Sequence, residues 1–154
     1  MRLTELGDFK IFFTEDVLSL LANYIQVEQG QHEAGGILLG QVKERDIYIT
    51  RISFPSNRDR SSRYSFKRSK RNAQAIIDYE FYNSSKRTIY LGEWHTHPEE
   101  LPTPSNVDRK MIKDQFSKNL LNEPFLLQYI QGTKGFYIGL IQTGEIIEKT
   151  LKDV

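Results

Sequence analysis

The chain contains no cysteine. A cysteine peptidase, a disulfide scaffold and any thiolate-ligated zinc site are therefore excluded. So are the zinc nucleobase deaminases, which need paired cysteines beside a His-x-Glu. No Gly-x-Ser-x-Gly elbow occurs, which counts against a serine triad. No run approaches the roughly 18 apolar residues of a membrane span. Met1-Arg2-Leu3-Thr4-Glu5 lacks the apolar core of a signal peptide. Neither sign of charge is in excess: 21 Lys and Arg stand against 20 Asp and Glu, for a formal net charge of +1. Such a chain has no global reason to seek nucleic acid or a membrane surface. These absences lead to the expectation of a cytoplasmic protein with no membrane partner and no nucleic-acid partner.

A length of 154 residues suits a single domain spanning 1–154 with a proper core. The hydrophobic fraction of 38% is modest, but 12% aromatic residues offset it. Phe9 to Phe13 reads as a first strand. Thr14 can cap a following helix in which Val17, Leu18, Leu21, Tyr24 and Ile25 recur at helical spacing, with Gly30 as its stop. A second strand opens at His32-Glu33-Ala34-Gly35-Gly36, and Asp46 to Phe54 pairs with it across Lys43-Glu44-Arg45. Ala73, Ile76, Ile77 and Phe81 mark a second helix that ends by Asn83-Ser84-Ser85. Val107, Met111, Ile112, Phe116 and Leu120 mark a third. Phe125–Gln131, Phe136–Gln142 and Ile146–Leu151 read as strands joined by turns at 132–135 and 143–144. The expected class is α/β, a mixed, largely antiparallel sheet flanked by helices.

Two of the three histidines, His95 and His97, stand two apart behind the extended run Arg87-Thr88-Ile89-Tyr90-Leu91-Gly92. Residues i and i+2 of a strand share a face, so both imidazoles can aim at one ion while Thr96 faces away. Pro98 ends the pairing, and Asp108 follows in the first turn of the third helix. Two imidazoles and one carboxylate leave a fourth position for water, the arrangement of a catalytic zinc site. Ser105-x-x-Asp108 also reads as an N-cap signal, and the two roles are compatible. Alone, Glu33 could be a solvated strand residue, and His32 a surface histidine.

Several features together resemble the JAMM motif of the Jab/MPN zinc metallopeptidases. They are His95-Thr96-His97-Pro98, the ten residues between His97 and Asp108, Ser105 three before Asp108, and Glu33 ahead of Gly35-Gly36. The resemblance runs from about Thr14 to Gly144. It implies a Jab/MPN, cytidine-deaminase-like sandwich, with zinc (Zn2+) on His95, His97 and Asp108. It also implies Glu33 as the general base that later hands the proton to the leaving amine, and Ser105 as hydrogen-bond donor to the oxyanion. Known members remove ubiquitin or ubiquitin-like proteins, or cleave next to a small sulfur-carrier protein. The implied substrate is a ubiquitin-like protein or its conjugate, its tail extended along a strand near Gly35-Gly36-Ile37 and segment 56–65. The short connection from Pro98 to Ser105 counts against elaborate linkage discrimination. The compact run from Gly92 to Glu100 is most similar to bacterial Jab proteins. Some of those sit in mobile elements or antiphage operons beside conjugation enzymes, which become candidate partners.

Segment 58–71 carries seven basic residues against one acidic, Asp59, with Tyr64 and Phe66 between them. A solvated loop is one reading. Docking of an acidic protein face or of nucleic acid is the other. The segment keeps open a non-catalytic binding module as an alternative function, beside release of an amino acid from a sulfur carrier.

Overall fold

Period-two burial marks the strands early in the chain, and continuous burial on both faces marks those at the centre of the sheet. The computed structural model describes residues 1–153. Strand β1 (Arg2–Leu6) pairs antiparallel with β2 (Phe9–Phe13), whose Phe9, Ile11 and Phe13 are buried while Lys10 faces out. The turn between them needs a positive φ, and Gly7 supplies it at 61°. The later strands are β3 (Gly35–Lys43), β4 (Asp46–Ile52), β5 (Arg60–Ser62), β6 (Ser65–Lys67), β7 (Ile89–Thr96), β8 (Leu126–Gln131), β9 (Gly135–Gln142) and β10 (Glu145–Lys152). Eight of them form one sheet in the order β1-β2-β4-β3-β7-β8-β9-β10, and β5-β6 is a separate hairpin. Among the described residues only β2–β4 and β7–β8 are parallel, so the sheet is mixed and largely antiparallel. Its ends curl together: a Cβ on Gly7 would lie 3.0 Å from Ile147 of β10.

The three helices are α1 (Glu15–Ala22), α2 (Lys70–Asn83) and α3 (Asn106–Lys118). Their N-caps are Thr14, Ser69 and Ser105, each accepting a backbone N–H with its hydroxyl oxygen. Helix α1 buries Val17 and Leu21 in the main core with Leu38, Trp94 and Tyr129. Helices α2 and α3 cover the opposite face. Ala73 and Ile76 meet Ile37 and Leu39, and Ile112 meets Leu126 and Ile141. Among the described residues no helix is long and apolar enough to cross a membrane.

Four local expectations change. Strand β1 arises between residues with no apolar alternation, because its partner β2 supplies the ladder. Helix α1 ends at Ala22, well before Gly30. Tyr24 instead packs on Trp94 at 5.6 Å, and Gln26 beyond it is bonded to the distant Arg63 and Thr96. The second strand begins at Gly35, which leaves His32 and Glu33 outside the ladder. The polar loop after residue 56 folds into the β5–β6 hairpin. Gly35 and Gly36 serve close approach, as expected of glycine in a strand. A Cβ on Gly35 would meet the Phe66 ring at 2.5 Å, and one on Gly36 would meet the Ser53 carbonyl at 2.5 Å.

Candidate metal and catalytic site

Antiparallel pairing of the central strands β3 and β7 places Gly35 opposite His95. The residues just ahead of β3 therefore pass beside the histidine end of β7. Both imidazoles are buried, and their Nε2 atoms lie 3.2 Å apart. Asp108, in the first turn of α3, brings Oδ1 to 3.3 Å from His95 Nε2 and Oδ2 to 3.0 Å from His97 Nε2. Glu33 reaches the same point from the other side, with Oε1 3.4 Å from His97 Nε2. Glu33, His95 and His97 form a buried group able to hold a metal ion. Ser105 caps α3 through a reciprocal pair. Its Oγ accepts from the Asp108 N–H at 3.1 Å, and its N–H donates to Asp108 Oδ2 at 2.8 Å. The hydroxyl proton of Ser105 is not consumed by this cap. The structure thus gathers Glu33, His95, His97 and Asp108 directly and joins Ser105 to them through Asp108. His32 lies exposed, against Ser61.

The electrostatics follow from burial and mutual contact. Burial pushes the Glu33 carboxyl up to about 8; the His97 imidazole opposes the shift and the Asp108 and Glu99 carboxylates add to it. Burial acts to raise Asp108 as well, but hydrogen bonding from His95 and His97 overcomes it. Its carboxyl is held well below the usual range. Burial pulls His97 down, and contacts with Asp108 and Glu99 reverse the sign, leaving it raised. Glu99 Oε1 stands 2.7 Å from His97 Nδ1, where it can accept an Nδ1–H; in the neutral ring that tautomer would turn the Nε2 lone pair toward the centre.

Residues 18–140 match the family described as prokaryotic homologs of the JAB domain. The chain belongs to this family. A "CD-NTase/cGAS isopeptidase" of Escherichia coli strain TW11681 is 33% identical over 132 residues, covering 86% of this chain and 82% of that protein. One of the same name from Vibrio cholerae is 32% identical over 133 residues, covering 86% and 83%. A solution structure of a Desulfitobacterium hafniense protein shares the fold, with a TM-score of 0.64 at 19% identity over 90% of this chain and 89% of that one. With such relatives, the JAB-domain chain is a hydrolase.

Four supports of this JAB-domain site have no local signature. Glu99 follows His97 by two residues and turns back onto its Nδ1 beyond the end of β7 at Thr96. Gln128 of β8 donates to the Asp108 carbonyl at 3.2 Å, tying α3 to the sheet. Glu93, buried two residues before His95, is bonded by both Arg68 and Tyr90. Gln26 bonds Thr96 between the two histidines. The basic segment is partly used up internally as well. Arg68 is paired with Glu93, Arg63 donates to the Glu28 carbonyl at 3.0 Å, and Asp59 accepts from the Ser56 and Ser69 amides. Arg58, Arg60, Lys67, Lys70 and Arg71 are exposed.

Proposed function

We propose that this chain is a zinc-dependent isopeptidase that cuts the amide bond after the C-terminal tail of a ubiquitin-like protein. The names of its relatives extend the proposal to the other side of the bond, a CD-NTase carrying the modifier. The observation that carries the reading is the convergence of the two imidazole Nε2 atoms, 3.2 Å apart, on the Asp108 carboxylate, with Oδ1 3.3 Å from His95 Nε2 and Oδ2 3.0 Å from His97 Nε2. Zinc bonds of about 2.0–2.1 Å at tetrahedral angles separate ligand atoms by about 3.3 Å. Without a cation, two buried nitrogens at this distance would compete for one proton. The donor set fits a divalent ion.

His95, His97 and Asp108 would hold the ion, and Glu99 keeps His97 in the tautomer that offers Nε2. A bound divalent ion supplies the acidity that water lacks at neutral pH and polarises the scissile carbonyl. Glu33 then takes the water proton, and the oxygen adds to the carbonyl carbon. Ser105 donates its hydroxyl hydrogen bond to the carbonyl oxygen as negative charge gathers there. Collapse breaks the C–N bond, and Glu33 returns the proton to the departing amine. The products are a free tail carboxylate and a free amine. Burial raises the Glu33 carboxyl in the metal-free chain, and a divalent ion beside it would favour the ionised form that accepts the proton.

The test pairs metal content with turnover of a reporter fused behind a ubiquitin-like tail. Wild-type protein purified without added metal should carry near-stoichiometric zinc, and Asp108→Ala or His97→Ala should be depleted and inactive. Glu33→Gln should keep zinc and fold yet lose about 10²–10⁴ in rate. Wild-type turnover by zinc-loaded Glu33→Gln would mean that another base activates the water.

A further inference from the structure

Glu33 precedes β3 and takes no part in the sheet ladder. Its amide donates to the Ser62 carbonyl at 2.6 Å, on a three-residue strand that is exposed along its length. That contact alone gives the carboxylate a weak footing. A general base misplaced by about 1 Å can lose on the order of 10² in rate.

A second set of bonds compensates, and it converges on one buried glutamine. Gln26 is 2% exposed and lies in the irregular segment after α1. Its Nε2 donates to the Gln31 and Arg63 carbonyls, each at 2.9 Å. Its Oε1 accepts the Thr96 hydroxyl proton at 2.9 Å. The Thr96 oxygen in turn accepts the Ala34 N–H at 2.9 Å, while the Thr96 amide donates to the Ala34 carbonyl at 2.9 Å. Thr96 therefore grips both polar groups of the residue next to Glu33. It stands between His95 and His97 and points to the face they do not use. Both Nε2 protons and the Oε1 of Gln26 are engaged, as a buried amide requires.

We propose that Gln26 and Thr96 are positioning residues that lock the Glu33 carboxylate to the histidine strand. The inference rests on the reading of Glu33 as the base. The strand that presents both imidazoles also fixes, through the buried threonine on its other face, the segment that carries the carboxylate. Gln26 orients the threonine hydroxyl by accepting its proton, which leaves a lone pair for Ala34. Its bond to the Arg63 carbonyl ties the β5–β6 turn into the same clasp.

Thr96→Val nearly preserves shape and removes the hydroxyl. With the tail–reporter fusion as probe and zinc loading verified, kcat should fall about 10–100-fold while KM holds. Thr96→Ser should restore most of the rate. In a Glu33→Gln background, Thr96→Val should cost nothing further, because residues acting through one group are not additive. Amide hydrogen exchange, which needs no turnover, should show Ala34 and Glu33 losing protection in Thr96→Val, in metal-free and zinc-loaded protein alike. Gln26→Met, which leaves the histidine strand untouched, should reproduce both results. Should Thr96→Val fold poorly, this variant decides. An undiminished kcat in Gln26→Met or in well-folded Thr96→Val, or an additive loss in the Glu33→Gln background, overturns the clasp while leaving the proposed mechanism standing. A fully active Glu33→Gln overturns the mechanism and this inference together.

Discussion

Arg68 and Glu93 face each other as a two-bonded pair, Nε to Oε1 at 2.5 Å and Nη2 to Oε2 at 3.2 Å. The pair ties the start of α2 to the strand that carries the histidines. The Tyr90 hydroxyl completes it by donating to Glu93 Oε2. Tyr90 and Glu93 are three apart, a spacing that a regular strand would send to opposite faces. The register shift that leaves Leu91 unpaired against β3 brings them to the same side.

Arg68→Ala leaves a buried carboxylate without its cation. Both partners are largely shielded, with side-chain exposures of 14% and 4%. Burial already pushes the Glu93 carboxyl up, against the pull of Arg68. The expected cost is about 3–5 kcal/mol, or roughly 10 °C in Tm for a chain of this size. Arg68→Met with Glu93→Gln should recover much of that loss, because the stranded charge is gone. A melt of Arg68→Ala within 2 °C or so of wild type would remove the pair from any structural role.

Glu99→Ala deprives His97 Nδ1 of its acceptor and leaves the proposed ligands His95, His97 and Asp108 in place. Competition with a chelator should show zinc affinity reduced by about 10–100-fold, with turnover recovered when zinc is saturating. Unchanged affinity would mean that water replaces the carboxylate without penalty.

The metal-free protein should lose stability as pH rises. Glu33 has its folded value raised from 4.5 to about 8, so its contribution is complete below 4.5 and disappears as pH climbs through 8. His97 is raised as well and acts in the same direction above its ordinary 6.5. Asp108 is lowered, so its contribution is present above 3.8 and constant across this window. In chelator-treated protein, Glu33→Gln should flatten the fall in Tm between about pH 4.5 and 8. An unaltered slope would place the titration elsewhere. Zinc should reverse the trend, since ligation needs neutral imidazole.

Reversing charge at Arg58 and Arg60 should weaken binding of an acidic partner surface and spare hydrolysis of a small peptide. The effect should shrink as salt screens the contact. Arg63 is left out because its guanidinium holds the Glu28 carbonyl. Undiminished binding at low salt would return this segment to a solvated hairpin.

Much of the site is legible along the chain, because its rules are local. A two-residue spacing in a strand puts His95 and His97 on one face, whatever the strand pairs with. Ser105 and Asp108 announce a capped helix start, and the capping box is present. The turn at Thr143-Gly144 follows from the conformation it needs, with φ of 75° at Gly144. The family motif adds Glu33 as a member of the set.

Where Glu33 would stand, and what would hold it there, only the tertiary structure decides. Its neighbour Ala34 is gripped by Thr96, 62 positions away, and that hydroxyl is oriented by Gln26, 70 positions from Thr96. Arg68 finds Glu93 across 25. No periodicity or capping rule reaches such distances, because these contacts depend on strand order and on a one-residue register shift. The sequence by itself determined which groups could do the chemistry, since residue type and local spacing set donor atoms and strand faces. Folding decided which of them meet, since a hydrogen bond between remote segments exists only after the sheet has fixed where those segments pass.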